Sequence, residues 1–420
     1  MPDSYYDLEE QLRQDRRLGK ARRRKRRMRK LIPLLILLLL AALVWFLLRK
    51  EREELPPETQ TLPVGSSSAT LCFTGDISLD KAALESFRTA SGFDFSPLLR
   101  RITPRLSAAD LTVGNLEGNV SQEADLTDHN YPPALLDALY AAGFDMLQTA
   151  NSYTIQNGIT GLAATKQAIQ AAGMDALGTW SSQEDRQENP VLIREVNGIR
   201  IAFLAFTKGM NNLRLPAGAE YCVNLLYTDY DTNYSKIARS AITAAVEEVR
   251  LLAPDLIVAM VHWGSEYDQR VADSQKEIAS LLYNSGVNLI IGSHSHYVSK
   301  MELQSRTITP LGGNFTAYSL GDLVSAADSS AARHGCVLTI SLQKDAQGTR
   351  ITGLEYAPTY SAAPSEDLGT DRYEVLDTLD AIRFYKAEYY DRVSEALYRR
   401  LVSAVESMAE QTELGEYQAK

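Results

Sequence analysis

The chain has 420 residues, a formal net charge of −10, 45% hydrophobic and 23% charged side chains. That balance excludes low-complexity disorder and a collagen-like fibre and predicts a packed core. From residue 56 onward 28 basic groups stand against 45 acidic ones, a net of −17, which argues against binding nucleic acid through charge.

Charge in the first fifty residues is sharply segregated. Between Arg13 and Lys30 twelve Lys and Arg accompany one acid, Asp15, and the next eighteen residues, Leu31 to Leu48, carry no charge. At about 1.5 Å per residue that run nearly crosses a hydrocarbon layer of about 30 Å, and Trp45 suits its far interface. The expectation is a single-pass protein of the cell membrane: a basic cytoplasmic tail (1–30), one transmembrane helix (31–48) and an extracytoplasmic body. A secretory signal is the rival reading. The length of the run, and the lack of a small-x-small site in Arg49–Glu54, favour an uncleaved anchor. A nucleic-acid-binding arm is the other rival for the basic run, and the adjacent span disfavours it.

A linker, residues 49–68, holds Pro56, Pro57, Pro63, Gly65 and three serines and suits an extended tether. Beyond it short β-rich runs alternate with helical stretches. Strands are expected at Ala69–Phe73, Leu111–Val113, Met146–Thr149, Ile201–Phe206, Leu256–Val261, Leu289–Ile291 and Phe315–Ser319. Apolar spacing near 3.6 predicts helices over Lys81–Arg88, Ala134–Ala142, Gly161–Ala172, Tyr234–Leu252 and Gln275–Ser285. The body, residues 69–365, is therefore a layered α/β domain. In the extension, 366–420, Leu379, Ile382, Tyr385, Tyr389, Val393, Leu397, Leu401, Val405 and Met408 form one stripe, read as a long amphipathic helix. Cys72, Cys222 and Cys336 are odd in number and far apart, so buried free thiols are expected rather than disulfides or a zinc site.

Polar residues gather at the ends of these strands. Asp76 follows the first as Phe73-Thr-Gly-Asp76; Asn115 and Glu117 follow another as Val113-Gly-Asn-Leu-Glu117; Asn151 follows a third. His262 ends the strand Leu256–Val261, and Gly292-Ser-His294-Ser-His296 follows Ile291. Ligands of open α/β sheets bind beyond the carboxyl ends of strands, so these residues should converge. Carboxylate, amide and imidazole together form a ligand set for manganese, iron or zinc. Singly, Gly75-Asp76 suits a turn and Asn151 a helix cap; the co-location is what points to a shared site. His129 and His334 read as surface or loop residues.

These strings resemble the CapA family of capsule poly-γ-glutamate biosynthesis proteins, whose domain is similar to the calcineurin-like metallophosphoesterases. The resemblance spans roughly residues 69–325 and is carried by Gly75-Asp76-Ile-Ser-Leu79, Gly114-Asn-Leu-Glu117, Ala141-Ala-Gly-Phe-Asp-Met146 running into Thr149-Ala-Asn151, His262-Trp-Gly-Ser-Glu-Tyr267 with Gln275, Gly292-Ser-His-Ser-His296 and Tyr318-Ser-Leu-Gly-Asp322. It implies a metallophosphoesterase-like β-sandwich flanked by helices. It also implies divalent-metal positions at Asp76, Asn115, Glu117, His262 and His294, and catalytic positions at His296, Asn151 and Tyr153. Glu266 and Tyr267 either line the pocket or support the His262 loop.

The chain departs from the family where Ala-Asn-Asn-His-x-x-Asp-x-Gly is usual: here Ser152, Tyr153 and Gln156 replace the amide, imidazole and acid. Ser295 stands for the usual Pro and Asp322 for the usual Asn. Two readings stay open. One is a metal-dependent hydrolase or transferase of envelope-polymer synthesis; the other is a non-catalytic subunit, its metal lost, that binds poly-γ-glutamate or a related polymer and contacts other capsule-assembly proteins. An anionic polymer would be repelled by the acidic body unless metal or a local basic patch offsets it, and Lys208, Arg214, Arg270 and Lys300 are the candidates for such a patch.

Overall fold

The computed structural model describes residues 65–122, 126–304, 314–364, 371–387 and 393–412. The expected cytoplasmic tail, the transmembrane run and most of the linker lie outside those residues. Among the described residues no helix is long and apolar enough to cross a membrane.

The first sheet is built around β1 (Ser67–Ser78). On one side it pairs in parallel with β2 (Leu111–Leu116), followed by β3 (Met146–Gln148) and β4 (Asp175–Leu177). The second sheet runs from β5 (Leu192–Val196) through β6 (Ile199–Thr207), β7 (Leu256–His262) and β8 (Leu289–Ser293) to β10 (Asn314–Ala317), with β9 (Met301–Gln304) as the far edge. Strands β6, β7, β8 and β10 are mutually parallel. The chain then returns to the first sheet: β11 (Asp322–Ser325) pairs with the end of β1, and the long antiparallel strands β12 (His334–Asp345) and β13 (Gly348–Ala362) extend its other side.

Alternation along each strand divides the apolar residues between layers. Leu71 and Phe73 share one core with Phe203, Met260 and Ile291, so the two sheets stack face to face. Cys72, Leu116 and Leu147 turn instead to helices on the outside of the first sheet, among them α1 (Lys81–Glu85), α4 (Pro133–Ala141) and α5 (Gly158–Ala171). Leu204, Ala259 and Ile290 turn to α7 (Arg239–Arg250) and α8 (Asp273–Ser285). Short helical segments α2 (Ser96–Leu99), α3 (Thr103–Leu106) and α6 (Gln183–Glu188) fill the connections. The result is the expected β-sandwich between helical layers.

A break in β1 places the first site residue. The register to β2 shifts between Phe73 and Asp76, and the alternation reverses, with Phe73 in the inter-sheet core but Ile77 among the outer helices. Asp76 therefore lies inside the strand rather than after it. Gly75 permits the approach that closes this region, because a Cβ there would lie 2.0 Å from Gly321 O.

The C-terminal segment is not one continuous helix. Residues Glu374–Asp377 form strand β14, antiparallel to β13, and two helices follow, α9 (Thr378–Lys386) and α10 (Glu395–Thr412). The Asp377 carboxylate accepts from Leu379 N and Asp380 N and so starts α9. Arg101 and Arg105 pair with Glu374 and Asp377 at 2.6 Å each and hold the strand to the body. The apolar stripe is real but serves two helices, whose Ala381, Leu397 and Leu401 pack with Tyr360 and Leu376.

All three cysteines are buried and free, as expected. Burial pushes the Cys72 and Cys222 thiols up to about 12 and raises Cys336 as well. The native chain should therefore react slowly with Ellman's reagent at pH 8 and release three equivalents rapidly once denatured. A fast equivalent from the native protein would place one thiol outside the core.

Candidate metal centre

The strand ends bring the polar residues together. Asp76 comes from β1, Asn115 from β2 and Glu117 from the turn just beyond it; Asn151 and Ser152 follow β3; His262 ends β7; His294 and His296 follow β8; Asp322 opens β11. The carboxylates of Asp76, Glu117 and Asp322 and the ring of His262 are at most 2% exposed, and His294 and His296 are also buried.

A hydrogen-bonded chain of side chains sets the acids. Asn115 Nδ2 donates to Asp76 Oδ1 at 2.8 Å, and His294 N donates to Asp76 Oδ2 at 3.0 Å. Asn151 Nδ2 donates to Asn115 Oδ1 and to Leu116 O, while Asn151 Oδ1 accepts from Tyr153 N. Both ends of both amides are thus engaged within the protein. In this arrangement Asn115 and Asn151 hold Asp76 and the third-motif loop.

The imidazoles are fixed from behind. His262 Nδ1 lies 3.0 Å from Ser293 Oγ, and its Nε2 lies 3.0 Å from Ser152 Oγ and 3.4 Å from Glu117 Oε1. Ser152 Oγ also stands 3.5 Å from His294 Nδ1. His296 Nδ1 is 2.9 Å from Asp322 Oδ1. His294 and His296 adopt φ of +94° and +57°, left-handed values that cost a side-chain-bearing residue about 1–3 kcal/mol each. Such strain persists where surrounding structure enforces it, and here the turn directs two rings to one place.

Electrostatics reflects this crowding. Burial, then the nearby charge of Asp322, pushes Asp76 up to about 6. Burial and Asp76 raise Glu117 well above the usual carboxylate range. Burial holds His262 and His294 well below the usual imidazole range. His296 behaves oppositely: burial works against its charge, but the Asp322 carboxylate prevails and lifts it to about 11.

Two overlapping groups of donors have the spacing of metal ligands: Glu117, His262 and His294, and Asp76, Glu117 and His296. Within each, one donor atom per residue lies within 4.8 Å of the others. Glu117 Oε2 is buried with no hydrogen-bond partner among the described residues. Glu117 is common to both groups, and with that oxygen and the His262 and His294 rings held neutral the donor set fits a divalent cation.

Around the cluster, the Tyr153 ring meets a further imidazole. It stacks on His129 with centroids 3.8 Å apart, and burial raises its hydroxyl above the usual phenol value. His129, expected on the surface or in a loop, sits half-buried in a turn with Nδ1 3.0 Å from Glu117 O. Its isolation in the sequence hid it; an imidazole just before the buried Asn130-Tyr131 pair was the available signal. Tyr267 is 55% exposed and stacks on His296 at 5.2 Å, so it borders the pocket. Gln275 accepts from Ala272 N and packs under Gly264, supporting the His262 loop. Asp322 is drawn into the site as the partner of His296.

A profile of the family described as bacterial capsule synthesis protein PGA_cap matches residues 70–327, more than half of the chain. The chain belongs to this bacterial capsule synthesis family. It is similar to the capsule biosynthesis protein CapA of Bacillus anthracis, 26% identical over 266 residues, covering 61% of this chain and 59% of that protein. It is also similar to the PGA biosynthesis protein CapA of Bacillus subtilis strain 168, 25% identical over 291 residues, covering 66% of this chain and 68% of that protein. The chain thus spans about three fifths of the Bacillus anthracis CapA length. Among solved structures, a Staphylococcus aureus protein described as a 5'-nucleotidase, in complex with alpha-ketoglutarate, aligns with a TM-score of 0.43 and 13% identity, covering 69% of this chain and 54% of that one.

Within the PGA_cap region, Gly292 opens the turn that carries both histidines. A Cβ there would lie 2.1 Å from Tyr318 O and 2.6 Å from Trp263 Nε1, the two atoms that bond to each other at 2.9 Å. Gly292→Ala should cost about 1–3 kcal/mol through this overpacking, read as a fall in Tm of a few degrees or more. An unchanged Tm would show that the close approach is not a constraint on the turn.

Proposed function

We propose that this chain is a membrane-anchored, extracytoplasmic enzyme of capsule synthesis, acting on poly-γ-glutamate or a related envelope polymer through divalent-metal hydrolase or transferase chemistry of the metallophosphoesterase type. Membership of the capsule synthesis family supports the process, the basic and apolar runs at residues 13–48 support the anchor, and the buried donor set supports the chemistry. The observation that carries the reading is Glu117, buried with one carboxylate oxygen lacking a hydrogen bond among the described residues and common to both groups of donors.

Asp76, Glu117 and His296 would hold a cation on one side, and Glu117, His262 and His294 on the other. When bound, such a cation polarises a phosphoryl or acyl oxygen and lowers the pKa of water. The protein's own part is orientation. Ser293 fixes the His262 ring, Asp322 fixes His296, and the Asn115–Asn151 pair fixes Asp76. His129 supplies an imidazole next to Tyr153 from a different loop. A second reading, a polymer-binding subunit without turnover, is favoured by Tyr153 itself, because a phenol raised above its ordinary pKa is a poor proton carrier at neutral pH.

Full-length protein purified in mild detergent should contain near-stoichiometric manganese, zinc or iron by elemental analysis, and the His262→Ala/His294→Ala variant should lose most of it. Metal-dependent cleavage of bis(p-nitrophenyl) phosphate or of γ-glutamyl oligomers would support the enzyme. Loaded protein that turns over neither would favour the binding subunit. A chain that takes up none of these metals would overturn the metal centre.

A further inference from the structure

We propose that Lys208 is the anion-binding side chain of this site, holding a carboxylate or phosphoryl group of the substrate beside His262 and His294. The inference rests on the metal-centre reading above and adds to it the residue that recognises substrate charge.

The placement follows from the sheet. Strand β6 ends at Thr207, which lies opposite His262 in the parallel register, and Lys208 N donates to His262 O at 2.8 Å. Lys208 is therefore the first residue beyond the strand end, on the edge where the other site residues collect. Its ammonium donates to Gly264 O at 2.7 Å and stands 4.6 Å from the Tyr234 ring centroid. From there its charge acts on both His262 and His294.

What distinguishes Lys208 is how it is held. Among the other basic residues near the motifs, Arg214 pairs with Asp231, Arg270 with Asp268 and Lys300 with Glu302. Each of those charges is met by a neighbouring acid. Lys208 makes no ion pair among the described residues, and Glu266, on the exposed loop after His262, is the acid that acts on it at longer range. A carbonyl and an aromatic face fix the side chain without neutralising it. An ammonium has three donors, so one bond to Gly264 O leaves two for a ligand.

The need for such a group is electrostatic. A body of net −17 repels an anionic substrate, and a cation held by Asp76 and Glu117, with Asp322 behind His296, is itself largely offset by those acids. A fixed positive charge next to the imidazole pair gives an incoming oxyanion a local reason to bind. Half-burial strengthens that attraction relative to a fully solvated lysine.

The test uses the full-length chain loaded with Mn2+, with inorganic phosphate and the dipeptide γ-glutamylglutamate as probes, in wild type, Lys208→Met and Lys208→Arg. Lys208→Met should weaken binding of at least one probe by on the order of tenfold or more; Lys208→Arg should retain most of it. The probe that responds identifies the group as phosphoryl or carboxylate. Mn2+ affinity should be unchanged or tighter in Lys208→Met, because a like charge has been removed. Equal probe affinities in wild type and Lys208→Met would overturn the proposal, as would a parallel loss of Mn2+, which marks a structural role, or a wild type that binds neither probe. A wild type without Mn2+ would sink the metal centre alone: Lys208-dependent binding to the metal-free chain would still uphold the anion site, and its absence would overturn that too.

Discussion

The constraint on which this structure turns is the burial of three carboxylates, Asp76, Glu117 and Asp322, in one small volume. Removing a charge from water costs several kcal/mol per ion unless partners replace the hydration. The chain meets part of that cost with Asn115, with the backbone N–H of His294 and with His296 against Asp322. It leaves part unmet at Glu117 Oε2. A fold that only needed stability would do better with apolar residues of similar size, so the unmet remainder fits a divalent-metal site.

The rest of the architecture can be read as support for that volume. Two sheets stacked face to face present their strand ends along one edge, so residues separated by more than 200 positions, such as Asp76 and His294, come within hydrogen-bond distance. The break in β1 reverses the side-chain alternation so that Phe73 and Ile77, four residues apart, face opposite layers across it. The left-handed residues His294 and His296 are tolerated because Gly292 lets the turn sit against Tyr318 and Trp263. Strain and close packing are both concentrated on the loop that carries two imidazoles.

Much of this was legible in the sequence, for a definite reason. Each parallel strand is a short apolar run, and a polar residue at its carboxyl end stands out against it; Asp76, Glu117, His262, His294 and His296 all announce themselves in that way. What was not legible depends on pairing at long range. Strands β12 and β13 carry mixed polar and apolar sequences whose alternation is weak until the partner is known. Glu374–Asp377 stands just ahead of the apolar stripe that begins at Leu379 and reads with it along the chain, whereas its pairing with β13 and its ion pairs to Arg101 and Arg105 make it a strand. His129 was overlooked because its loop carries no motif; only the tertiary fold sets it against Glu117 and Tyr153.

The altered third motif changes meaning in this setting. Replacing an amide by Ser152 keeps an oxygen in place, and that oxygen lies between His262 Nε2 and His294 Nδ1. The substitution is therefore compatible with the same donor set. Replacing an imidazole by Tyr153 is a larger change, since a buried phenol is reluctant to ionise. Yet the Tyr153 ring is not idle filling: it lies flat against His129, whose own nitrogen is tied to the backbone of Glu117. That aromatic face packs an imidazole from another loop beside the altered motif. Two changes that look like decay when read along the chain thus remain, in three dimensions, consistent with a pocket that still gathers acids and imidazoles around one point.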